Sequence, residues 1–299
     1  MQNPPLITCY ILTYRRFENL FTTIDSVLVQ DYPRIEIGIF DDGSDGFPEE
    51  EIREYIDRRK GDNIESIVIH RNRQNLGTVK NMNIMLSLTQ GEYLLDIPAE
   101  DSLASRSACS TIAEAFRETG AEILFSYKSV LDQDGRETGT TPSRHCAKRL
   151  QRMDAGQQYR WIACGAPFTG AGMYYTRKII EQLGGFDEEY RLQEDGPFFL
   201  KATREGHRIG FIEKTTYQYR MGTGVTSGKE NNPMLVQDVL KLFDKEIMPY
   251  IDRFSPFERR CIRYETERIR KPKRMDRSQK IKLILAYPDV VLYRKIFSH

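Results

Sequence analysis

No stretch of this sequence reaches the roughly 18 consecutive apolar residues that a membrane-spanning helix needs. Its first residues, MQNPPLITCYILTY, lack the basic segment and small-residue cleavage site of an export signal. Both absences lead to the expectation of a cytoplasmic location. Cys-x-x-Cys is also missing: Cys9, Cys109, Cys146, Cys164 and Cys261 are odd in number and scattered. That pattern speaks against a disulfide framework or a thiolate zinc site and predicts reduced, mostly buried thiols. The four histidines show no metal-ligand spacing. Neither Gly-x-x-x-x-Gly-Lys nor Gly-x-Gly-x-x-Gly follows the first apolar run, which disfavours a P-loop ATPase or a dinucleotide enzyme.

What is present is enough apolar material for a large core: 39% of the 299 residues are hydrophobic and 11% aromatic. Leu6–Thr13, Ile35–Asp41, Ile64–His70, Tyr93–Ile97 and Glu122–Val130 read as strands, and the first four are apolar enough to be covered on both faces. Amphipathic stretches near Asn19–Val29, Pro48–Lys60, Thr78–Leu88 and Ser105–Thr119 separate them. This alternation predicts an α/β fold with a mostly parallel central sheet and helices on both faces. Residues 132–160 lose the pattern and are expected to form a long loop with a short helix, either a lid or a surface excursion. A strand in GAGMYYT, a helix over Arg177–Leu183 capped at Gly-Gly, a helix near Gln193–Glu205 and two strands, IGFIE and TTYQYR, complete the body. Beyond Pro233 the sequence reads as helical, with breaks at Pro256, Pro272 and Pro288.

In such sheets ligands bind beyond the carboxyl ends of the strands. Four strand ends carry polar clusters: TYRR, DDGSDG, RNRQNLGTVKN and PAED. Asp41 and Asp42 suit either a plain Asp-Gly turn or hydrogen bonds to a base N–H and ribose hydroxyls, with Tyr14 as a flat neighbour. NLGTVKN opens a helix at a glycine, so that Lys80 and the helix dipole could meet a diphosphate.

Three segments carry a resemblance: ITCYILTYRRFENLFTTIDSVLVQDYPRIEIGIFDDGSDG, NLGTVKNMNIMLSLTQGEYLLDIPAEDSL and GGFDEEYRLQEDGPFFLKATREGHRIGFI. Together they resemble the successive blocks of the family 2 glycosyltransferases over about residues 5–226. The resemblance implies a GT-A type nucleotide-diphospho-sugar transferase sandwich, a nucleotide-diphosphate sugar donor (a UDP-sugar), a divalent metal (Mn2+ or Mg2+), and inversion at the anomeric carbon. It assigns Thr13, Tyr14, Asp41, Asp42, Asn75 and Lys80 to the donor nucleotide, with Gly77 in the same block and Asn83 structural. Arg220 or the loop in YRMGTGVTSG is expected on phosphate. Where the family carries Asp-x-Asp after GEY, this chain has Pro98 at the first acidic position and Glu100 at the second. Glu100 and the adjacent Asp101 therefore inherit the metal, while Asp96 falls at a position usually hydrophobic. Glu194 and Asp195 match the family's Glu-Asp pair, with Asp195 as general base, although a helix start also favours acids. Trp161 suits either core packing or stacking on an acceptor sugar.

The charge distribution is uneven. Residues 251–299 carry a net +8 and residues 1–250 a net −7, against +1 overall. The basic C-terminal helices suit either an anionic membrane surface, on the inner face of which the protein would be peripheral, or a bundle packed on the catalytic body or a partner subunit. We expect a catalytic domain over residues 1–230 and a basic helical extension over 231–299. The expected partners are a nucleotide-sugar donor and a glycan or polyprenyl-linked acceptor of polysaccharide biosynthesis, with no nucleic acid. A non-catalytic sugar-nucleotide-binding or scaffold subunit is the alternative, motivated by Pro98.

Overall fold

The most continuous aliphatic runs became the innermost strands. In β1 (Ile7–Thr13) six of seven residues are buried and in β2 (Ile35–Asp41) all seven are, because both faces are covered by helices. This architecture comes from a computed structural model that describes residues 3–166, 170–222 and 230–297. The remaining strands are β3 (Ile64–Arg71), β4 (Tyr93–Asp96), β5 (Ser102–Leu103), β6 (Ile123–Leu131), β7 (Glu137–Thr141), β8 (Met173–Thr176) and β9 (Ile209–Arg220). They form one sheet in the order β3-β2-β1-β4-β8-β6-β9-β5, with β7 paired to β6.

The β3-β2-β1-β4 half is parallel, as the strand–helix alternation requires. β8 then runs antiparallel to both β4 and β6, while β6 and β9 are again parallel. β3 is an edge strand and only half-buried, although its apolar run predicts full cover. Strand composition reports affinity for a pleated surface, and only sheet order decides which strand lies at the edge.

Helices α1 (Leu20–Leu28), α2 (Glu49–Arg59) and α4 (Ala108–Thr119) cover one face, where Ile24, Ile52 and Ile112 pack on Ile11, Ile37, Leu95 and Tyr217. On the other face lie α3 (Thr78–Leu88), α5 (Arg144–Arg152), α6 (Ala155–Ala163), α7 (Arg177–Gln182) and α8 (Asp195–Arg204), packed around Tyr10, Leu94, Phe125 and Tyr175. Residues 132–160 are thus more ordered than expected. The polar ETGTT run is an exposed strand held by the ladder to β6, and two helices follow. Their start signals are local: Ser143 caps α5, and Asp154 with Gln157 forms a capping box on α6. IGFIE and TTYQYR form a single strand with register irregularities, β9. Trp161 is buried in the core under the Arg149 guanidinium, 4.6 Å from its ring, which is the packing alternative.

Beyond residue 230 the chain forms α9 (Pro233–Leu242), a π turn (Phe243–Ile247), a 3-10 turn (Met248–Arg253), α10 (Pro256–Ile269), α11 (Arg277–Ala286) and α12 (Pro288–Phe297). Leu242, Phe243, Ile247, Phe254 and Ile262 belong to the same apolar cluster as α8. The first part of the basic extension is therefore continuous with the body in packing. The five cysteines are free.

Candidate functional site

The turns that follow β1 and β2 are locked together. Arg15 takes the left-handed conformation at φ 56° and donates its N–H to Ser44 Oγ at 2.7 Å, while Asp42 N–H reaches Thr13 O at 2.9 Å. Arg15 is the single non-glycine residue with positive φ among the described residues, so this corner carries backbone strain held in place by its neighbours. Tyr14 is partly exposed at its edge. Asp41 and Asp42, expected near a nucleoside, are both buried and largely engaged by the protein itself. Asp41 accepts the Ser44 N–H and hydroxyl, at 2.7 and 2.6 Å. Asp42 accepts from Asn72 Nδ2 and Leu76 N–H on Oδ1, and from Gly77 N–H on Oδ2. A carboxylate offers about four acceptor sites, so Asp42 Oδ2 retains one.

That clasp fixes the loop carrying Asn75 and Gly77. Gly43 has to be glycine because a Cβ there would lie 2.5 Å from the Gln74 carbonyl carbon, and Gly77, at φ 94°, because a Cβ would meet Arg191 at 2.6 Å. Asn75 Oδ1 accepts a bond from Arg191 Nη2 at 2.7 Å, and Lys80 is exposed in the first turn of α3. Asn83 holds the Phe186 backbone at both its N–H and its C=O.

Beyond this loop lies a cluster of acids around a buried lysine. Asp96, at the end of β4 and paired in register with Tyr10, is buried with Oδ1 left unpartnered. Burial, followed by the negative fields of Asp101 and Asp195, raises its pKa to about 8. Asp96 sits in an apolar run at a position expected to be hydrophobic, and the structure brings it into the cluster. Asp101 accepts from the Tyr217 hydroxyl and the Arg220 backbone N–H, both at 2.8 Å. Its pKa is raised to about 6, burial outweighing those bonds and the Lys128 charge. Glu100, by contrast, is partly exposed and accepts from Asn19 Nδ2 at 2.8 Å. The Arg220 guanidinium lies 3.4 Å from the Asp132 and Gln133 carbonyls, so its backbone, not its charge, touches Asp101.

Lys128 was missed in the sequence, where a lysine inside ILFSYKSVL was the available signal. It is 4% exposed, donates to Ala171 O at 2.9 Å, and has its pKa lowered to about 8 by burial, against the attraction of Asp101 and Asp195. Glu194 and Asp195 are half-buried as residues, and their carboxyls are crowded by protein. Glu194 is held well above the usual carboxylate range by burial, then by the charges of Asp195 and Asp96. Asp195 is raised by burial too, but it accepts N–H bonds from Gly170 and Gly196, at 2.7 and 2.6 Å, and faces Lys128. Both carboxyls are thus raised, and Asp195 is the one whose charged form is met by the Gly170 and Gly196 N–H groups and by Lys128.

The loop leading into that pair is anchored from the extension. Asp238 of α9 is buried, and its Oδ2 accepts the backbone N–H groups of Arg191, Leu192 and Gln193, at 2.9, 2.7 and 3.3 Å. Arg191 in turn holds Asn75, so one chain of bonds joins α9, the acid pair and the Asn75 loop.

Among the described residues no three histidine, cysteine or acidic side chains converge as a ready-made metal cage. The donor set nevertheless fits a hard divalent cation that takes its other ligands from a phosphate and water. Glu100 and Asp101 are oxygen donors adjacent in sequence with acceptor sites remaining, and Asp101 lies close enough to Asp96 for their charges to interact. The loop expected over residues 223–228 lies outside the described residues.

The model of the family described as "Glycosyl transferase family 2" matches residues 8–184. An uncharacterized glycosyltransferase of Haemophilus influenzae is 23% identical over 242 residues, covering 78% of this chain and 70% of that protein. Among the solved structures that share the fold are two with a bound nucleotide sugar. Staphylococcus aureus TarS 1–349 in complex with UDP-GlcNAc aligns with a TM-score of 0.61 at 16% identity, over 96% of this chain and 80% of TarS. The mannosyltransferase PcManGT of Pyrobaculum calidifontis, in complex with GDP-Man and Mn2+, also gives 0.61 at 16% identity, over 96% of this chain and 73% of its own.

Proposed function

The chain belongs to glycosyl transferase family 2, and on that premise we propose that it moves a sugar from a nucleotide-diphosphate donor, a UDP-sugar, to a hydroxyl of a glycan or lipid-linked acceptor with inversion. The observation that carries this reading is the setting of Asp195 at the start of α8, where it accepts N–H bonds from Gly170 and Gly196, faces the buried Lys128 and lies beside Glu194. In the proposed single displacement Asp195 takes the acceptor proton while the acceptor oxygen bonds to the anomeric carbon. The bond from that carbon to the diphosphate oxygen breaks, and its electron pair leaves on the nucleotide. The Lys128 charge favours the ionised form of Asp195.

The interlocked turns at Thr13–Tyr14 and Asp41–Ser44 would border the nucleoside, with Asp42 offering its remaining lone pair. Asn75 and Lys80, at the start of α3, would face the diphosphate. Glu100 and Asp101 would hold a divalent cation, whose chemistry is to neutralise charge on the departing diphosphate. Nucleotide sugars bound to TarS and PcManGT, and Mn2+ with the latter, support the donor class and the metal. We assign catalysis to residues 1–230 and regard 231–299 as an extension that braces the site through Asp238.

The test is turnover of a panel of nucleotide sugars with Mn2+ and acceptor extract, wild type against Asp195→Asn. The substitution should lower kcat by about 10² or more while leaving donor affinity near wild type. Unchanged turnover would remove Asp195 from the chemistry, and absence of turnover for every donor would favour a binding subunit.

A further inference from the structure

The paired helices α11 and α12 are apolar on two sides. Leu283, Tyr287 and Val290 point inward and pack with Cys261 of α10, burying one side of the pair. Ile281, Ile284 and Leu285 are 46%, 47% and 74% exposed, and Leu292 of α12 is 60% exposed. Positions 281, 284 and 285 follow the i, i+3, i+4 spacing of one helical stripe. Packing on α10 accounts for the inner face, and nothing among the described residues covers the outer one.

Charge surrounds this stripe. Residues 271–299 hold eight Lys or Arg and two acids. Both acids are already engaged: Asp276 caps α11 through the Gln279 N–H, and Asp289 pairs with Arg260 at 2.7 Å. Arg277, Lys280 and Lys282 are exposed on the helix that carries the stripe. Each helix has 10 residues, about 15 Å of length, half of what a bilayer's hydrocarbon core requires. Such elements lie along a membrane rather than cross it, consistent with the absence of any crossing helix among the described residues.

The geometry points to α11 and α12 as a docking face for an anionic phospholipid surface. Ile281, Ile284, Leu285 and Leu292 would enter the headgroup–acyl boundary, and Arg277, Lys280 and Lys282 would reach lipid phosphates on flexible stems. A groove on a partner protein would satisfy the aliphatic stripe, but it would need acids to match lysines and arginines on both flanks. A bilayer with anionic headgroups supplies both properties to any orientation of the stripe. This inference does not depend on the transferase reading, because its readout is binding.

The experiment is sedimentation of the full chain with sucrose-loaded vesicles of pure phosphatidylcholine or with about one third phosphatidylglycerol, at about 0.1 and 0.5 M salt. Binding to the anionic vesicles should exceed binding to phosphatidylcholine by about tenfold or more and fall at the higher salt. The double variant Ile284→Ser/Leu285→Ser should lose about tenfold in partitioning with its melting temperature unchanged. Lys280→Glu/Lys282→Glu should lose binding to the anionic vesicles alone. Absence of binding, equal binding to both vesicle types, or full binding by the serine variant overturns the proposal. A wild-type oligomer that the serine variant turns into monomers also overturns it, because the face is then an interface between copies.

Discussion

Asp96→Asn should make the protein more stable, and by an amount set by pH. The carboxyl is buried with Oδ1 unpartnered, and its pKa is raised from 3.8 to about 8. In the unfolded chain it ionises near its ordinary value, so between about pH 4 and 8 the native state binds a proton that the unfolded state has lost. Stability from this group therefore falls as pH rises through that window and levels off above the folded pKa. At about 1.4 kcal/mol per unit the cost is about 1 kcal/mol at pH 4.5, about 4 kcal/mol at pH 7, and close to 6 kcal/mol above pH 9 as a ceiling. Asparagine has nearly the same shape, carries no charge, and can donate to neighbouring carboxylates. The measurement is denaturant unfolding of wild type and variant from pH 4.5 to 8, with a chelator present to keep divalent cations out. The stability gap should open by about 3 kcal/mol between pH 4.5 and 7. A gap that stays constant across the range would mean that Asp96 is solvated or ionised in the native protein, and the buried-cluster argument would fail.

Further outcomes follow from the same contacts. Lys128→Met removes the buried cation facing Asp195, so the acid limb of the kcat/KM profile should move to higher pH; an unmoved limb would separate the two groups. Asp238→Leu leaves three backbone N–H groups without their acceptor and should cost about 3 kcal/mol or more in unfolding experiments. A loss below about 1 kcal/mol would show that water replaces the carboxylate. In calorimetric titrations, Glu100→Gln should weaken Mn2+-dependent donor binding more than Asp96→Asn; the reverse order would place the metal on Asp96.

The parallel half of the sheet was legible in the sequence because its signals are local. Runs such as ITCYILT and IEIGIFD, each followed by an amphipathic stretch, encode strand and helix by periodicity. Glycines at Gly43 and Gly77 mark turns whose close approaches the structure explains. Less legible was everything that depends on a partner distant in sequence. ETGTT has no strand-like pattern and is a strand because β6 offers it a ladder. β3 reads like β2 and differs in having a neighbour on one side only.

The same division holds at the site. Polar strand ends such as DDGSDG, RNRQNLGTVKN and PAED stood out in the sequence because they are local features, and the family resemblance then assigned roles to Asp42, Asn75, Glu100, Asp101, Glu194 and Asp195. The chain alone also determined the basic, aliphatic character of its last helices. The tertiary structure alone decided that Asp96 and Lys128 join the acids and that Asp238 reaches the loop before Asp195. It also decided that the Asp195 carboxylate meets the Gly170 and Gly196 N–H groups and Lys128. The reason is that desolvation and Coulomb fields depend on distance in space. β1, β4, β6, β8 and β9 meet only when the sheet closes its order, and register then fixes which side chains share the interior.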